Sequence, residues 1–322
     1  MPAAPLGAQS ATGIVNLHDT FRHWGYALER PGGRASELAR WKNQWSSVSI
    51  ERNKACIALN GARVWLGFAV SEGNGNAYLR RHDYEHTLLP IMAPRANPAS
   101  PAPSARPVRH VLLDPGHGGK DPGNTASRFG LMEKTMTLDV ALRLKAILEQ
   151  RGLKVSLTRT TDVYVELVDR AALARKINAD LFVSIHFNST ADTSSVSGVE
   201  SYVLTPQGQH STNDSRRRAT ASELRAREPG HKNGPWNILL GYHVHAAMLA
   251  KLRAEDRGLR RARFQVLQTA TCPAVLVECG FLNNPAEAAL VRTGAYREKI
   301  AQGIADGIAR YQQILNKLVA GR

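Results

Sequence analysis

The chain has 322 residues, of which 43% are hydrophobic and 21% are charged, so it can bury a sizeable core and global disorder is excluded. The formal net charge of +15 favours acidic polymers as partners, but only 6% of the residues are aromatic and the arginine-rich stretches 216–218 and 257–263 contain none, which argues against nucleic-acid binding. No apolar run reaches about eighteen residues, so we expect no membrane span, and the three cysteines form no CxxC pair.

The first third of the chain predicts a small module followed by a linker. Residues 1–12 are predicted to be a flexible N-terminus; they lack the basic and apolar regions of a signal peptide, so we expect an export signal to lie at or before this point. Residues 13–94 show short alternating segments and an Asn60-Gly61 hairpin signal, which predicts a small α+β accessory domain. This hairpin and the segment 83–91 resemble the copper amine oxidase N-terminal-like stalk domain. Residues 95–107 are rich in proline and predict an extended linker.

Residues 108–322 alternate between strand-like and helix-like patterns. Apolar runs at 109–114, 153–157, 181–186, 198–204 and 274–279 predict strands, and helical spacing at 133–151, 167–177, 238–252 and 296–318 predicts helices. This alternation is typical of an α/β fold, so we expect a mainly parallel sheet with helices on both faces. Residues 206–236 interrupt the rhythm because they are polar and charged, which predicts a mobile surface insertion.

Candidate functional residues lie where the predicted strands end. Functional groups of open α/β sheets collect at the carboxyl ends of strands, and here His117, His186 and Glu278 follow three strand-like runs, while Glu133 opens the first helix. Two histidines and one carboxylate are the ligand set of a catalytic zinc ion, with a fourth position open for water. Residue type alone is not specific at such long spacings. A loop or capping role for His117 and an ion-paired carboxylate role for Glu278 remain open on this evidence.

The residues around these positions resemble one family. The segment 110–119 (HVLLDPGHGG), followed by 121–123 (DPG) and Glu133-Lys134, is similar to the opening of the N-acetylmuramoyl-L-alanine amidases, zinc enzymes of the amidase-3 type. The similarity covers about residues 108–311 in the family's order, through the segments 159–160 (TR-type element), 170–171, 184–188 (SIHFN), 198–200, 257–259 and 273–284 (PAVLVECGFLNN). Phe187 and Cys279 depart from residues common in the family, and neither touches the proposed chemistry.

The resemblance implies roles for six residues. It implies that His117, Glu133 and His186 bind one Zn²⁺ ion, that Glu278 is the catalytic carboxylate, and that Asn188 and Asn284 line the substrate site. The implied reaction is hydrolysis of the amide between N-acetylmuramic acid and L-alanine in bacterial peptidoglycan. In it, zinc polarises the carbonyl and acidifies water, and Glu278 carries a proton from water to the leaving nitrogen.

The resemblance also bears on location and partners. It implies a periplasmic, cell-envelope or secreted protein whose partners are peptidoglycan and an activator protein. The insertion at 206–236 falls where some relatives carry a segment that covers the active site, and a plain solvated loop is the alternative. A module that binds peptidoglycan without cutting it is the alternative function. The presence of all four proposed catalytic and metal-binding residues argues against that alternative.

Overall fold

The computed structural model describes residues 13–29, 37–94, 107–190, 195–213 and 218–320. The predicted N-terminus at 1–12 and nearly all of the predicted linker at 95–107 lie outside these residues. Within them, no helix combines the length and the apolar character needed to cross a membrane. The described chain is organised around one long sheet with helices packed on it.

The N-terminal part consists of short strands and short helices. Its strands are β1 (Ile14–Asn16), β2 (Ala27–Glu29), β3 (Glu37–Lys42), β4 (Ser47–Glu51), β5 (Cys56–Leu59), β6 (Ala62–Trp65), β7 (Ser71–Gly73) and β8 (Asn76–Arg80). Its helices are α1 (Leu17–His23), α2 (Arg81–Asp83) and α3 (Leu89–Met92), with a π-helical turn (Tyr84–Leu88) between the last two. The predicted hairpin is β5–β6, and its turn residues Asn60 and Gly61 both have positive φ, as that turn type requires.

The remainder of the chain alternates between strands and helices. Its strands are β9 (His110–Pro115), β10 (Thr125–Ala126), β11 (Leu131–Met132), β12 (Lys154–Leu157), β13 (Leu181–Asn188), β14 (Val199–Leu204), β15 (Asp256–Ala262) and β16 (Ala274–Phe281). Its helices are α4 (Glu133–Gln150), α5 (Leu167–Lys176), α6 (Ala221–Arg225), α7 (Gly234–Leu252), α8 (Gln265–Thr269), α9 (Pro285–Val291) and α10 (Gly294–Ala320), with 3-10 turns at Ser127–Phe129 and Pro229–Asn233.

The main sheet has eleven strands in the order β12-β9-β13-β16-β14-β15-β6-β5-β4-β3-β2. The first four of these are parallel to one another, but β14 runs antiparallel to β16. Strands β14, β15 and β6 are again parallel, and from β6 to β2 every pairing is antiparallel. The expectation of a mainly parallel sheet is therefore not confirmed. The sheet is mixed, because β14 reverses direction and the N-terminal strands add antiparallel pairs.

The N-terminal strands continue the sheet of the second part. The joint is the pairing of β6 with β15, in which Leu259 lies opposite Val64. Side chains reinforce it: Asp256 Oδ2 accepts a hydrogen bond from the backbone N–H of Arg63 at 2.7 Å, and Trp65 Nε1 donates to the Arg257 carbonyl at 2.8 Å. One cluster of buried apolar side chains includes residues from both parts of the chain.

Helices cover both faces of the sheet, as expected. On one face α10 packs against α7 and α4, and on the other α5 packs against α8 over Phe182, Tyr202 and Leu276. The approach of α10 to α7 is close enough that a Cβ at Gly307 would lie 2.4 Å from Val244 Cα. Because the strands are covered on both faces, β9 is buried along its whole length.

The described part of the predicted insertion at 206–236 contains secondary structure. Thr220 and Glu223 form a reciprocal cap at the start of α6, and the first turn of α7 begins at Gly234. The segment is tied to the sheet by Arg263, which donates to the Gln209 carbonyl at 2.6 Å, and by His231, whose Nε2 donates to the Thr205 carbonyl at 3.0 Å. Gln209 is buried.

Candidate active site

The turn after β9 carries His117 and is fixed by two buried arginines. Arg159 Nη2 donates to the Gly116 carbonyl at 2.8 Å, and Arg170 Nη2 donates to the His117 carbonyl at 2.9 Å. Arg170 also pairs with Asp114, at 2.9 Å, and both side chains are almost fully buried. Such charges are tolerated in the interior only when paired and hydrogen-bonded. The turn holds His117 at a positive φ of 62°, and these bonds keep it there.

Three side chains from separate elements meet beside this turn. His117 comes from the turn after β9, Glu133 from the start of α4, and His186 from the end of β13. Glu133 Oε1 lies 3.1 Å from His117 Nε2 and 3.0 Å from His186 Nδ1. One ligand atom from each residue falls within 4.8 Å of the others, which is the arrangement of a metal site. The three residues predicted as metal ligands are thus brought together.

The surroundings of the three residues favour a cation between them. His117 Nδ1 donates to Asp121 Oδ2 at 2.8 Å, so in the neutral imidazole Nε2 carries a lone pair directed at the Glu133 carboxylate. Two facing acceptors need either an extra proton or a metal ion between them. Glu133 is held in place by the backbone N–H groups of Asn124 and Phe187, at 2.8 and 3.0 Å. Asp121 accepts from the other ring nitrogen of His117, and a carboxylate in this position is the usual outer support of a metal-binding histidine.

The ionisation of the site matches this arrangement. Burial by itself would raise the pKa of Glu133, but hydrogen bonds from His117 and His186 outweigh it and hold the pKa well below the usual range of a carboxyl group. Burial would likewise lower the pKa of His117, whereas the carboxylates of Glu133 and Asp121 raise it. The site therefore places a fixed negative charge between two imidazoles and stabilises any cation bound there.

Glu278 completes the group from the adjacent strand. In the sheet register it lies beside His186 on β13 and opposite Glu200 on β14. Its Oε2 is shielded from solvent and has no hydrogen-bond partner among the described residues. Burial, together with the negative charges of Glu133 and Glu200, raises the pKa of Glu278 well above the usual value. Glu278 is thus a carboxyl group with strong affinity for a proton.

All four residues line one cavity of about 410 Å³. Its other walls include an apolar part, formed by Leu276 of the sheet and by side chains of the α5 and α8 regions: Tyr164, Leu167, Phe264 and Val266. Polar side chains also line it: Asp114, Asp121, Asn124, Arg170 and Gln265. Leu167 is 50% exposed, so the cavity opens to solvent on that side. Convergent polar groups beside an apolar wall are typical of a site for a bulky substrate.

The two predicted substrate-binding residues do not line this cavity in the described structure. Asn284 is the N-cap of α9: its Oδ1 accepts from the backbone N–H groups of Ala286 and Glu287, and its Nδ2 donates to Val196. Asn188 Oδ1 accepts from the N–H of Ser189. Their role in binding substrate stays a prediction.

Sequence reasoning missed the residues that hold the site in place. It noted Asp121, Arg159 and Arg170 only as parts of motifs, without assigning them a task. Asp121 follows His117 by one tight turn, closed by a short bridge between Gly118 and Asp121, and this proximity in sequence was an available signal. The two arginines act through carbonyl groups far along the chain, so no local pattern could reveal them.

Comparisons with known proteins agree with this geometry. Residues 111–310 match the family model of the amidase-3 type, N-acetylmuramoyl-L-alanine amidase. The chain is 35% identical over 200 residues to the sporulation-specific N-acetylmuramoyl-L-alanine amidase of Bacillus subtilis, covering 62% of this chain and 66% of that protein. It is also 35% identical over 224 residues to the amidase AmiA of Salmonella typhimurium, covering 63% of this chain and 76% of that protein.

Solved structures give the same result. The crystal structure of N-acetylmuramoyl-L-alanine amidase from Clostridium difficile 630 is 30% identical with a TM-score of 0.53, and the match covers 65% of this chain and 98% of that one. AmiC2 of Nostoc punctiforme is 33% identical with a TM-score of 0.53, covering 64% and 97%. Sequence, fold and site geometry thus agree, and the chain is an enzyme of the N-acetylmuramoyl-L-alanine amidase family.

Proposed function

We propose that this protein is a zinc-dependent hydrolase that cuts the amide bond between N-acetylmuramic acid and L-alanine in bacterial peptidoglycan, in the periplasm or outside the cell. The observation that supports it most directly is the convergence of His117, Glu133, His186 and Glu278 on one open cavity. The net charge of +15 suits an enzyme that works on a polymer rich in carboxylates.

The donor set fits zinc. His117, Glu133 and His186 offer two imidazole nitrogens and one carboxylate oxygen, the combination typical of catalytic zinc sites that keep a position open. Asp121 holds His117 in the tautomer that presents Nε2 toward the other two residues. A zinc ion bound there supplies Lewis-acid chemistry, which polarises a carbonyl group and lowers the pKa of water.

Glu278 is proposed to move the proton. Its register position beside His186 supports a role for the Glu278 carboxylate as the general base that takes a proton from the attacking water. The raised pKa favours retention of that proton in the tetrahedral intermediate, until the carbon–nitrogen bond begins to break. Glu278 then protonates the nitrogen as a general acid. Without this step the tetrahedral intermediate would expel hydroxide and return to substrate.

The remaining residues of the site exclude water and orient the ligands. Arg159 and Arg170 hold the carbonyls of Gly116 and His117, so the turn cannot relax when substrate binds. Apolar side chains of the α8 region such as Phe264 and Val266 form one wall of the cavity and limit the access of bulk water to the reacting amide. Specificity for stem peptides would arise along this wall.

An activator protein is a proposed partner. The CwlD amidase from Clostridioides difficile, 26% identical to this chain, has been solved in complex with the GerS lipoprotein. Among the described residues, none from 206–236 lines the cavity. A cover formed by this insertion would therefore have to involve a different arrangement from the one in this structure.

Mass spectrometry of peptidoglycan digests tests the function. We expect purified sacculi incubated with the protein to release stem peptides with a free L-alanine amine, and a zinc chelator to abolish release until zinc is restored. The matched control is Glu278→Gln, which keeps the three proposed ligands. Release that persists in the chelator would refute zinc dependence. Intact glycopeptides in every sample, together with binding to sacculi, would favour a non-catalytic binding module instead.

A further inference from the structure

A charged side chain is buried at the junction between the N-terminal part and the sheet. Arg261 lies on β15, and only 1% of its surface is exposed. Its Nη2 donates to the His86 carbonyl and to Thr87 Oγ1, both at 2.7 Å, in the π-helical turn. These contacts connect the N-terminal part to the sheet beyond the β6–β15 joint.

The charge of Arg261 is not matched by an ion pair. The described residues include no carboxylate paired with it, and its Nε has no hydrogen-bond partner although solvent does not reach it. Asp83 is the acidic group whose charge acts on Arg261, but the oxygens of Asp83 already accept from the backbone N–H groups of Gly67 and Phe68. Burial lowers the pKa of Arg261 to about 10, so the guanidinium is still charged at neutral pH. A buried charge without a counter-ion is costly.

A second cavity adjoins this guanidinium. It measures about 180 Å³, several times the roughly 30 Å³ that one water occupies in the liquid, and it shares no lining residue with the active-site cavity. Besides Arg261, its walls include His86, His231 and the exposed Lys232. The first residues of the nineteen-residue helix α7, Gly234 and Pro235, also line it, so the positive end of a helix dipole faces the cavity. No acidic residue is among its lining residues.

We propose that this cavity, which we call the junction site, binds a compact oxyanion such as sulfate, phosphate or a carboxylate group. The Arg261 guanidinium, whose Nε has no partner, supplies a charge-assisted hydrogen bond, Lys232 supplies charge at the mouth, and α7 supplies the positive end of its helix dipole. The bound anion stabilises the contact between the π-helical turn and β15. This site is separate from the proposed amidase chemistry and does not depend on it.

Histidine-selective NMR tests the proposal. The full-length, zinc-loaded protein is labelled at histidine Cε1 and titrated with sodium sulfate at fixed pH and ionic strength, with chloride as the balancing anion. Sulfate does not titrate near neutral pH, so resonance shifts report binding. We expect the His86 and His231 resonances, assigned with His→Gln variants, to shift along one saturable curve, while those of His117 and His186 stay in place.

Variants localise the effect. Lys232→Gln should weaken sulfate binding about two- to fivefold, the range for a partly exposed charge, whereas Lys176→Gln at the exposed end of α5 should leave it unchanged. Arg261→Met should abolish the saturable shifts of the His86 and His231 resonances. If this variant does not fold, the comparison of Lys232→Gln with Lys176→Gln still tests the proposal. Shifts that grow without saturation, that are confined to His117 and His186, or that weaken equally in both lysine variants would overturn the proposal.

The source of the anion is decided by competition. Soluble peptidoglycan fragments carrying free carboxylates are added to the sulfate-loaded protein. Displacement of sulfate from the His86 and His231 resonances would support the junction site and identify a wall-polymer carboxylate as its occupant. Retention of sulfate would support the site as one for a free inorganic oxyanion.

Discussion

Gly116→Ala should weaken zinc binding without altering any proposed ligand. Gly116 lies between β9 and His117, and a Cβ at this position would lie 2.2 Å from Cε1 of His186 and 2.6 Å from both ring nitrogens. The φ of Gly116 is not in the left-handed region, so alanine introduces no backbone strain. The effect must therefore come from contact with the imidazole ring.

The structure shows which group has to move. The backbone N–H of Gly116 donates to Ile185 at 3.0 Å, and its carbonyl accepts from Arg159 and from Thr137, so the turn is held on both sides. The ring of His186 must shift by about 1.3 Å to restore an ordinary carbon–carbon contact of about 3.5 Å. Zinc sites tolerate deviations of only about 0.2 Å in ligand distance. We expect zinc affinity to fall about 10- to 100-fold, or about 1.4 to 2.7 kcal/mol.

Competition with a fluorescent zinc chelator measures this affinity, with circular dichroism as the check on folding. Gly234→Ala is the matched control, because a Cβ there has no neighbour within 4 Å and the φ is also ordinary. A Gly116→Ala protein that binds zinc as tightly as the control would show that His186 is not confined by this contact. The geometric argument for the site would then fail.

Three further outcomes are expected. Glu278→Gln should retain zinc but lose about 100-fold or more in amide hydrolysis, the usual range for a general acid–base group, and loss of zinc on metal analysis would contradict the assigned role. Gly307→Ala should lower the free energy of unfolding in urea by about 1 to 3 kcal/mol, because the new Cβ would lie 2.4 Å from Val244 Cα. This clash outweighs the better helix propensity of alanine. An unchanged midpoint of urea unfolding would refute the close packing of α10 on α7. Burial, together with the charge of Arg310, lowers the pKa of His243 to about 4, against an unfolded value of 6.5. The free energy of unfolding should therefore fall by about 2 kcal/mol as pH is lowered from 7 to 5, because the unfolded state takes up a proton that the folded state does not. His243→Gln should flatten this pH dependence, and equal slopes for the variant and the parent protein would contradict the prediction.

Helix positions were largely predictable because their signals are local. The apolar spacing at 133–151 and 167–177 corresponds to α4 (Glu133–Gln150) and α5 (Leu167–Lys176). The prediction for α7 started late, at 238, whereas the helix begins at Gly234 with a proline in its first turn. Proline is compatible with that turn because its missing N–H has no partner there in any case. Because the preceding residues are polar, residues 234–236 were predicted to belong to the insertion instead.

Strand direction was not predictable in the same way. The alternation in β14 indicates a strand, but alternation is the same whether a strand runs parallel or antiparallel to its neighbour. Direction depends on the path of the intervening chain, and here β14 follows β13 and pairs with the outer side of β16, in the opposite direction. The prediction of a mainly parallel sheet assumed that every strand returns through a helix crossover.

The site was predictable where its signal lay in contiguous motifs. His117, Glu133, His186 and Glu278 each stand in a recognisable segment, and the fold brings all four to one cavity. Asn284 illustrates the opposite case, since an asparagine followed by Pro285 is a typical N-cap signal, which the family motif concealed.

The N-terminal strands join the main sheet at the edge of β15, where backbone hydrogen-bonding groups need partners. Without β6, strand β15 would expose unpaired backbone groups along an edge of the sheet, a surface prone to non-native pairing. The hairpin β5–β6 covers that edge, and Gly258 allows it, because a side chain there would meet Trp65 at 2.5 Å. The N-terminal strands therefore contribute to the same sheet that carries Glu278, with only β15 and β14 between β6 and β16. A substitution that breaks the β6–β15 pairing would therefore disturb the sheet only two strands away from Glu278.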